Sequence, residues 1–153
     1  MKTFPRWLLI LLLLTNALGA FFGGLSLMLD PTGAGLQMTT EVLKDAPFQD
    51  FFVPGLLLFL FIGVLPFVAA LGLIFKDPWM PAPMLPFWRN RHWAWVLAFA
   101  SGVGLIIWIV VQMLMIGYWG EIAFQPLYLG LGLMITLLAL FPPVQQLYKK
   151  TPR

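Results

Sequence analysis

The chain has no cysteine, one histidine, and only fifteen charged side chains among 153 residues. Without cysteine there can be no disulfide framework, no thiol nucleophile and no thiolate metal site. A single histidine, His92, is too few for a histidine-rich metal centre. The sequence also lacks GxSxG, a Walker A loop, a dinucleotide fingerprint and HExxH, so the common signatures of hydrolase, phosphate-binding and zinc-peptidase chemistry are missing. Acids and bases make up 10% of the chain where a soluble domain has about a quarter. Apolar residues make up 61%. A single core of this size cannot hide that much apolar surface from water, which excludes both a disordered chain and a water-soluble enzyme of ordinary design.

What the sequence does have is long apolar runs. Four are long enough for a hydrocarbon core of about 30 Å, which takes roughly 20 helical residues. They cover 7–29, 51–75, 93–117 and 124–144, and none contains Asp, Glu, Lys or Arg. Continuous runs fit helices. A strand barrel needs alternating segments of about ten residues. The expected fold is therefore a single all-α domain, an integral membrane four-helix bundle running up-down-up-down, with an external loop at 30–50 and a cytoplasmic loop at 76–92.

The orientation follows from the few charges. Lys2, Arg6, Lys76, Arg89, Arg91, Lys149, Lys150 and Arg153 fall on one side with Asp77 as the lone acid, a net of +7. Lys44 with Asp30, Glu41, Asp45, Asp50 and Glu121 leaves the other side at −4. Basic residues stay on the cytoplasmic side, which places both termini there and the acidic loops outside. The basic face is expected to meet anionic lipid headgroups. Nucleic acid is not an expected partner, because there is no basic helix or aromatic-basic platform. Lys2, Arg6, the run Leu8–Leu14 and the small residues Ala17, Gly19 and Ala20 also have the form of a secretory signal. Hydrophobicity continues past that point through Phe21, Leu25 and Met28, which favours an ordinary first helix.

Local punctuation adds detail. Asp30-Pro31-Thr32-Gly33-Ala34-Gly35 is turn chemistry that stops the first span. Thr39 or Thr40 is placed to cap a short surface helix through Leu43, with a plain loop as the equal alternative. Asp50 is placed to cap the second span, and Pro66 to kink it at the carbonyl of Ile62. Trp7, Trp79, Trp88, Trp93 and Trp95 form an expected inner aromatic belt, with Tyr118 and Trp119 in the outer one. Gly19 and Gly23 make a GxxxG with Gly24 beside it. Ala69, Ala70, Gly72, Ala98, Ser101, Gly102, Gly104, Gly130 and Gly132 supply small surfaces on the other spans. Such residues let backbones approach closely, within one bundle or at a dimer seam, and packing within one bundle is the expectation. A faint repeat pairs Phe48-Gln49 and Pro66 with Phe124-Gln125 and Pro142, the proline following the glutamine by seventeen residues in each case.

Chemistry has few places to sit. Ionisable residues inside spans are the usual functional markers, and none is present. That argues against proton relays, ion-coupled transport and voltage sensing. The polar residues in the spans are Thr15, Asn16, Ser26, Ser101, Gln112 and Thr136. Asn16 and Gln112 matter most, because a buried amide in lipid needs a partner. An interhelical hydrogen bond satisfies that need. A polar anchor for a lipid-like ligand, with Gln125 and Tyr128 nearby, is the sharper alternative. No metal site is expected on the acidic face, which reads first as a solvated surface that the topology requires; Asp30, Asp50 and Glu121 are the candidates if a cation binds there, although their spacing matches no calcium loop. The same carboxylates could supply an acid–base pair. No cofactor is implied.

The stretches Asn16-Ala-Leu-Gly-Ala-Phe-Phe-Gly-Gly, Leu29-Asp30-Pro31-Thr32-Gly33, Pro47-Phe48-Gln49-Asp50-Phe51 with Pro54-Gly55, and Trp108 to Gln112 with Gln125-Pro126-Leu127-Tyr128 resemble small bacterial four-span membrane proteins of no assigned activity. The resemblance implies a helical bundle of the bacterial cytoplasmic membrane and transfers no catalytic residue. The function expected is non-enzymatic: a scaffold or accessory subunit with a membrane-protein partner or a second copy, or a lipid-binding bundle. The alternative is a membrane enzyme or carrier for a lipid-like substrate that uses the external carboxylates.

Overall fold

The computed structural model describes residues 3–75, 91–118 and 124–149. Of these, 82% are helical, and no strand occurs among them. The first helix, α1 (Phe4–Leu29), runs unbroken through Ala17–Ala20. Two short 3₁₀ turns follow, Ala34–Leu36 and Thr40–Leu43. The second long helix is built of three stretches in series: α2 (Phe52–Leu57), a π-helical segment (Leu58–Val64) and α3 (Leu65–Phe75). After it come α4 (Trp93–Ile116), α5 (Phe124–Leu140) and the short α6 (Pro142–Leu147).

Three helices are long and apolar enough to cross a membrane: Phe4–Leu29 with 26 residues, and Phe52–Phe75 and Trp93–Ile116 with 24 each. At 1.5 Å per residue they reach roughly 36–39 Å. The fourth is shorter than the sequence reading had it. Its apolar run continues to Val144, but α5 stops at Leu140 after 17 residues, roughly 26 Å of helix. The cause is Pro142-Pro143. Neither residue has an amide hydrogen for the preceding turn, so Phe141 turns extended and a new helix starts with proline in its first turn.

Each long helix packs against two others: α1 on the second helix and α5, α4 on α3 and α5. Glycines set the crossings. A Cβ on Gly24 would stand 2.7 Å from the carbonyl oxygen of Gly55, and one on Gly55 2.9 Å from that of Gly24. The two backbones touch there, in a way only glycine allows. Gly102 and Gly132 do the same between α4 and α5, where a Cβ would meet Thr136 and Ile106 at 2.5 and 2.9 Å. Gly19 does not face another helix's glycine; the phenol of Tyr128 occupies the space its side chain would take. Gly104 and Gly130 have nothing within 4 Å and pack against neither neighbour.

The core divides into three zones. At the end that carries Arg6 and Tyr148, here the basic end, Leu9, Leu13, Leu73, Trp93, Trp95, Ile135 and Val144 are buried together. Ala20, Ile62, Leu105 and Ile109 fill the middle. At the opposite, loop end, Leu43 and Phe51 pack on Leu27. The outward faces of the long helices are apolar: Leu11, Leu18, Phe61, Ile107, Leu114 and Leu137 are all exposed.

Candidate functional site

Two of the four amides and phenols singled out as ligand anchors prove to be joints of the bundle. Pro66 has no amide hydrogen, so the carbonyl of Ile62 one turn earlier loses its usual donor. The Nδ2 of Asn16 donates to that carbonyl at 3.0 Å, and Asn16 is 0% exposed. The interhelical reading of Asn16 is thus the one the geometry bears out. Its Oδ1 is buried without a protein partner. The helix is π-helical over Leu58–Val64, just before the expected kink at Pro66. Gln125, 4% exposed, donates through Nε2 to the carbonyl of Gly117 at 3.1 Å. It thereby ties the start of α5 to an end carbonyl of α4.

Tyr128 is half-buried with its hydroxyl against Gly19. Gln112 is also half-buried, two turns beyond Leu105 on α4. No hydrogen bond among the described residues joins Gln112 to Asn16, Gln125 or Tyr128. Two of the span hydroxyls turn back on their own helices. Ser101 donates to Leu97 at 2.7 Å and Thr136 to Gly132 at 2.8 Å. This pattern satisfies a hydroxyl without a partner helix.

The sequence reading missed a second and larger polar set at the basic end. The carbonyl of Ala139 lies in the last turn of α5, which Pro142-Pro143 ends, so it has no donor from its own helix, and the Nε1 of Trp95 donates to it at 2.8 Å. Trp95 is therefore a buried strut, and Trp93 is buried as well, against Gly72. Both were expected in an interfacial belt. Of that belt, Trp7 is exposed, while Trp79 and Trp88 lie outside the described residues. Tyr118 is exposed and Trp119 is likewise outside.

Arg6 donates to the last-turn carbonyls of α3, Leu73 at 2.9 Å and Ile74 at 3.1 Å, and lies over the Trp7 ring. The Tyr148 hydroxyl reaches the same Leu73 carbonyl at 2.8 Å. A cation suits the negative end of a helix. Arg91 binds the carbonyl and Oε1 of Gln145 at 2.9 and 2.7 Å and lies over the Trp95 ring. His92 accepts from the Ala94 amide through Nδ1, capping α4, and its own amide donates to the Tyr148 carbonyl at 2.9 Å. Burial pushes the Tyr148 phenol above its ordinary value, against the opposing pull of Arg6. Two of the basic residues assigned to lipid headgroups, Arg6 and Arg91, are thus bound to backbone. Lys149 is exposed, and Lys2, Lys76, Arg89, Lys150 and Arg153 lie outside the described residues. The Pro142-Pro143 pair, which ends α5 and leaves its last carbonyls without helical donors, was the signal that could have found this set.

The loop end holds the carboxylates. Asp30 accepts from the Thr32 hydroxyl at 2.5 Å, from the Thr32 amide at 3.2 Å and from the Gly35 amide at 2.9 Å. These bonds, the Thr32 hydroxyl foremost and then the Gly35 amide, hold its carboxyl below the usual range although it is solvent-exposed. Gly33 sits at φ +78°, and its missing side chain leaves room for the Phe51 ring. Asp50 caps the second helix as expected, accepting from the Phe52 amide at 3.0 Å. The Thr40–Leu43 segment is a 3₁₀ turn with no side-chain cap, and its Leu43 packs inward on Leu27. A groove of about 770 Å³ separates it from the end of α4, between Glu41, Lys44 and Asp45 on one wall and Leu114 to Gly117 on the other. None of Asn16, Gln112, Gln125 or Tyr128 lines it. Among the described residues, no three acidic or histidine side chains group in a way that could hold a metal. Glu121 lies outside the described residues.

No family model, curated protein or solved structure matches this chain.

The two halves also differ where the faint repeat would align them. Gln49 is exposed in a loop and Gln125 is buried in a helix. Pro66 continues a helix, and Pro142 begins one.

Proposed function

We propose that this chain is a four-span protein of the bacterial cytoplasmic membrane, arranged up-down-up-down with both termini inside. It acts without catalysis, as a scaffold or accessory subunit whose apolar outer surface meets lipid and the helices of a partner. One observation carries the reading. The buried polar side chains of the spans bind backbone carbonyls of the bundle itself, those that prolines have freed above all. Polar groups so engaged fix a shape and are not free to turn over a substrate. The charge asymmetry supports the orientation, and the length of the three long helices supports the spanning.

The enzyme or carrier alternative has less to stand on, since both oxygens of Asp30 face its own turn and Asp50 caps a helix. The test is extraction into native-membrane nanodiscs followed by mass determination. The subunit reading expects a stoichiometric second polypeptide, or a second copy, with the 17.3 kDa chain. A monomer that turns over a lipid substrate, and stops when Asp30 and Asp50 become asparagine, overturns it.

A further inference from the structure

Two polar groups on outward-facing residues in the middle of the spans have no partner among the described residues. The first is the hydroxyl of Thr15 on α1. Thr15 is exposed, and roughly 17 Å of helix separate it from Phe4 and roughly 21 Å from Leu29. Ser101 and Thr136 donate to their own helices, but the Thr15 hydroxyl makes no hydrogen bond among the described residues. The second is the carbonyl of Phe61 in the π-helical segment. Its α-helical donor would be the Leu65 amide, which goes to the Leu60 carbonyl instead. Its π-helical donor would be Pro66, which has no amide hydrogen. No described side chain donates to it. Phe61 itself is 55% exposed. The two helices are neighbours, and the bond from Asn16 to the Ile62 carbonyl sets both groups at one depth, since it joins the residues next to each of them.

We propose that two copies of this chain pair through the face formed by α1 and the second helix, the Thr15 hydroxyl of each donating to the Phe61 carbonyl of the other. The proposal rests on the membrane-spanning reading above and names its partner. Hydrocarbon has no hydrogen-bond donor or acceptor, so a lipid chain satisfies neither group. A partner helix does, since hydroxyls and carbonyls bond across spans. Symmetry selects the second copy. The donor without an acceptor and the acceptor without a donor lie on adjacent helices at one depth. A two-fold axis along the membrane normal sets α1 of one copy against the second helix of the other and keeps every residue at its own depth. Each donor then meets an acceptor, and both bonds form at once. A different protein would have to supply an acceptor and a donor at the same depth and spacing; this chain already carries both. Leu11, Leu18 and Leu60, all exposed, supply apolar contact around the pair.

The test reconstitutes the purified full chain, labelled for energy transfer at Ala34→Cys, in phosphatidylcholine vesicles over a range of protein-to-lipid ratios. The expected result is a dimer that Thr15→Val weakens about tenfold, because both symmetry-related bonds are lost, and that Thr15→Ser retains. Mixed copies carrying one cysteine each report which faces meet. Leu18→Cys on one copy should form a disulfide with Leu60→Cys on the other. Ile107→Cys, 57% exposed on α4 in the same middle zone, should form none with Leu18→Cys. A monomer at every ratio overturns the pairing, as does a dimer that Thr15→Val leaves unchanged, or a Leu18→Cys disulfide formed equally with Ile107→Cys. In each case the spanning reading stands. A chain that is monomeric alone but holds a different polypeptide one-to-one in native-membrane nanodiscs also overturns the pairing and leaves the subunit reading intact. A chain that alkaline carbonate strips from the vesicles overturns the spanning reading and the pairing together.

Discussion

If the Asn16 amide replaces the hydrogen bond that Pro66 removes, the two residues must be energetically coupled. Asn16→Leu keeps the branched heavy-atom skeleton and deletes the 3.0 Å bond to the Ile62 carbonyl. Interhelical hydrogen bonds in bilayers are worth about 0.6–1.7 kcal/mol. An unpaired buried carbonyl costs about 1–3 kcal/mol. Leucine also removes the Oδ1 that has no protein partner, which offsets part of the loss. A net destabilisation of about 1–2 kcal/mol is expected. Pro66→Ala returns an amide hydrogen to the second helix. In that background the same Asn16→Leu substitution should cost less by about 1 kcal/mol, the coupling of a directly interacting pair. The assay is reversible unfolding in mixed micelles of increasing dodecyl sulfate fraction, followed by near-ultraviolet circular dichroism, for the wild type, both single variants and the double. An Asn16→Leu cost that is the same with proline or alanine at 66 refutes the reasoning.

Other consequences can be checked in the same system. Gly55→Ala drives a Cβ to within 2.7 Å of Leu27 and should destabilise by about 1–3 kcal/mol, while Gly104→Ala, with nothing within 4 Å, should change stability by less than about 0.5 kcal/mol. Trp95→Phe removes the donor to Ala139 and should cost about 1 kcal/mol in the same unfolding series. Asp30 has a carboxyl pKa lowered from 3.8 in the fold, so the order it gives the 30–35 turn is present above that value and is lost as pH falls through the lower folded one. A spin label at Ala34→Cys should therefore be ordered at neutral pH and gain mobility only in strong acid. In Asp30→Asn it should be mobile at every pH.

The parts of this architecture that depend on chain chemistry alone were legible from the residues. Apolar runs gave the helices, Asp50 its cap, and Asp30 with Gly33 the turn. Pro66 pointed to Ile62, and the need of a buried amide for a partner pointed to Asn16. That these two are each other's solution is a fact of register between helices, which no local pattern contains. The end of α5 was misread because hydropathy continues through Phe141 to Val144 while the backbone at Pro142-Pro143 cannot. Trp93 and Trp95 were read as interfacial because tryptophan near a span end usually is. Their burial depends on Gly72 and the freed Ala139 carbonyl, both supplied by other helices. Arg6 and Arg91 enter the charge count as basic residues alone, and their positions at carbonyls of α3 and α6 arise from packing.

The central claim is a four-span bundle with both ends inside. The chain contains no native cysteine, so single cysteines report its topology without background. The decisive measurement is labelling by a membrane-impermeant maleimide in intact cells, before and after permeabilisation, of Thr3→Cys, Ala34→Cys and Lys149→Cys. The account predicts immediate labelling at Ala34 and labelling at Thr3 and Lys149 only after permeabilisation. Labelling of Lys149→Cys or Thr3→Cys in intact cells would contradict it.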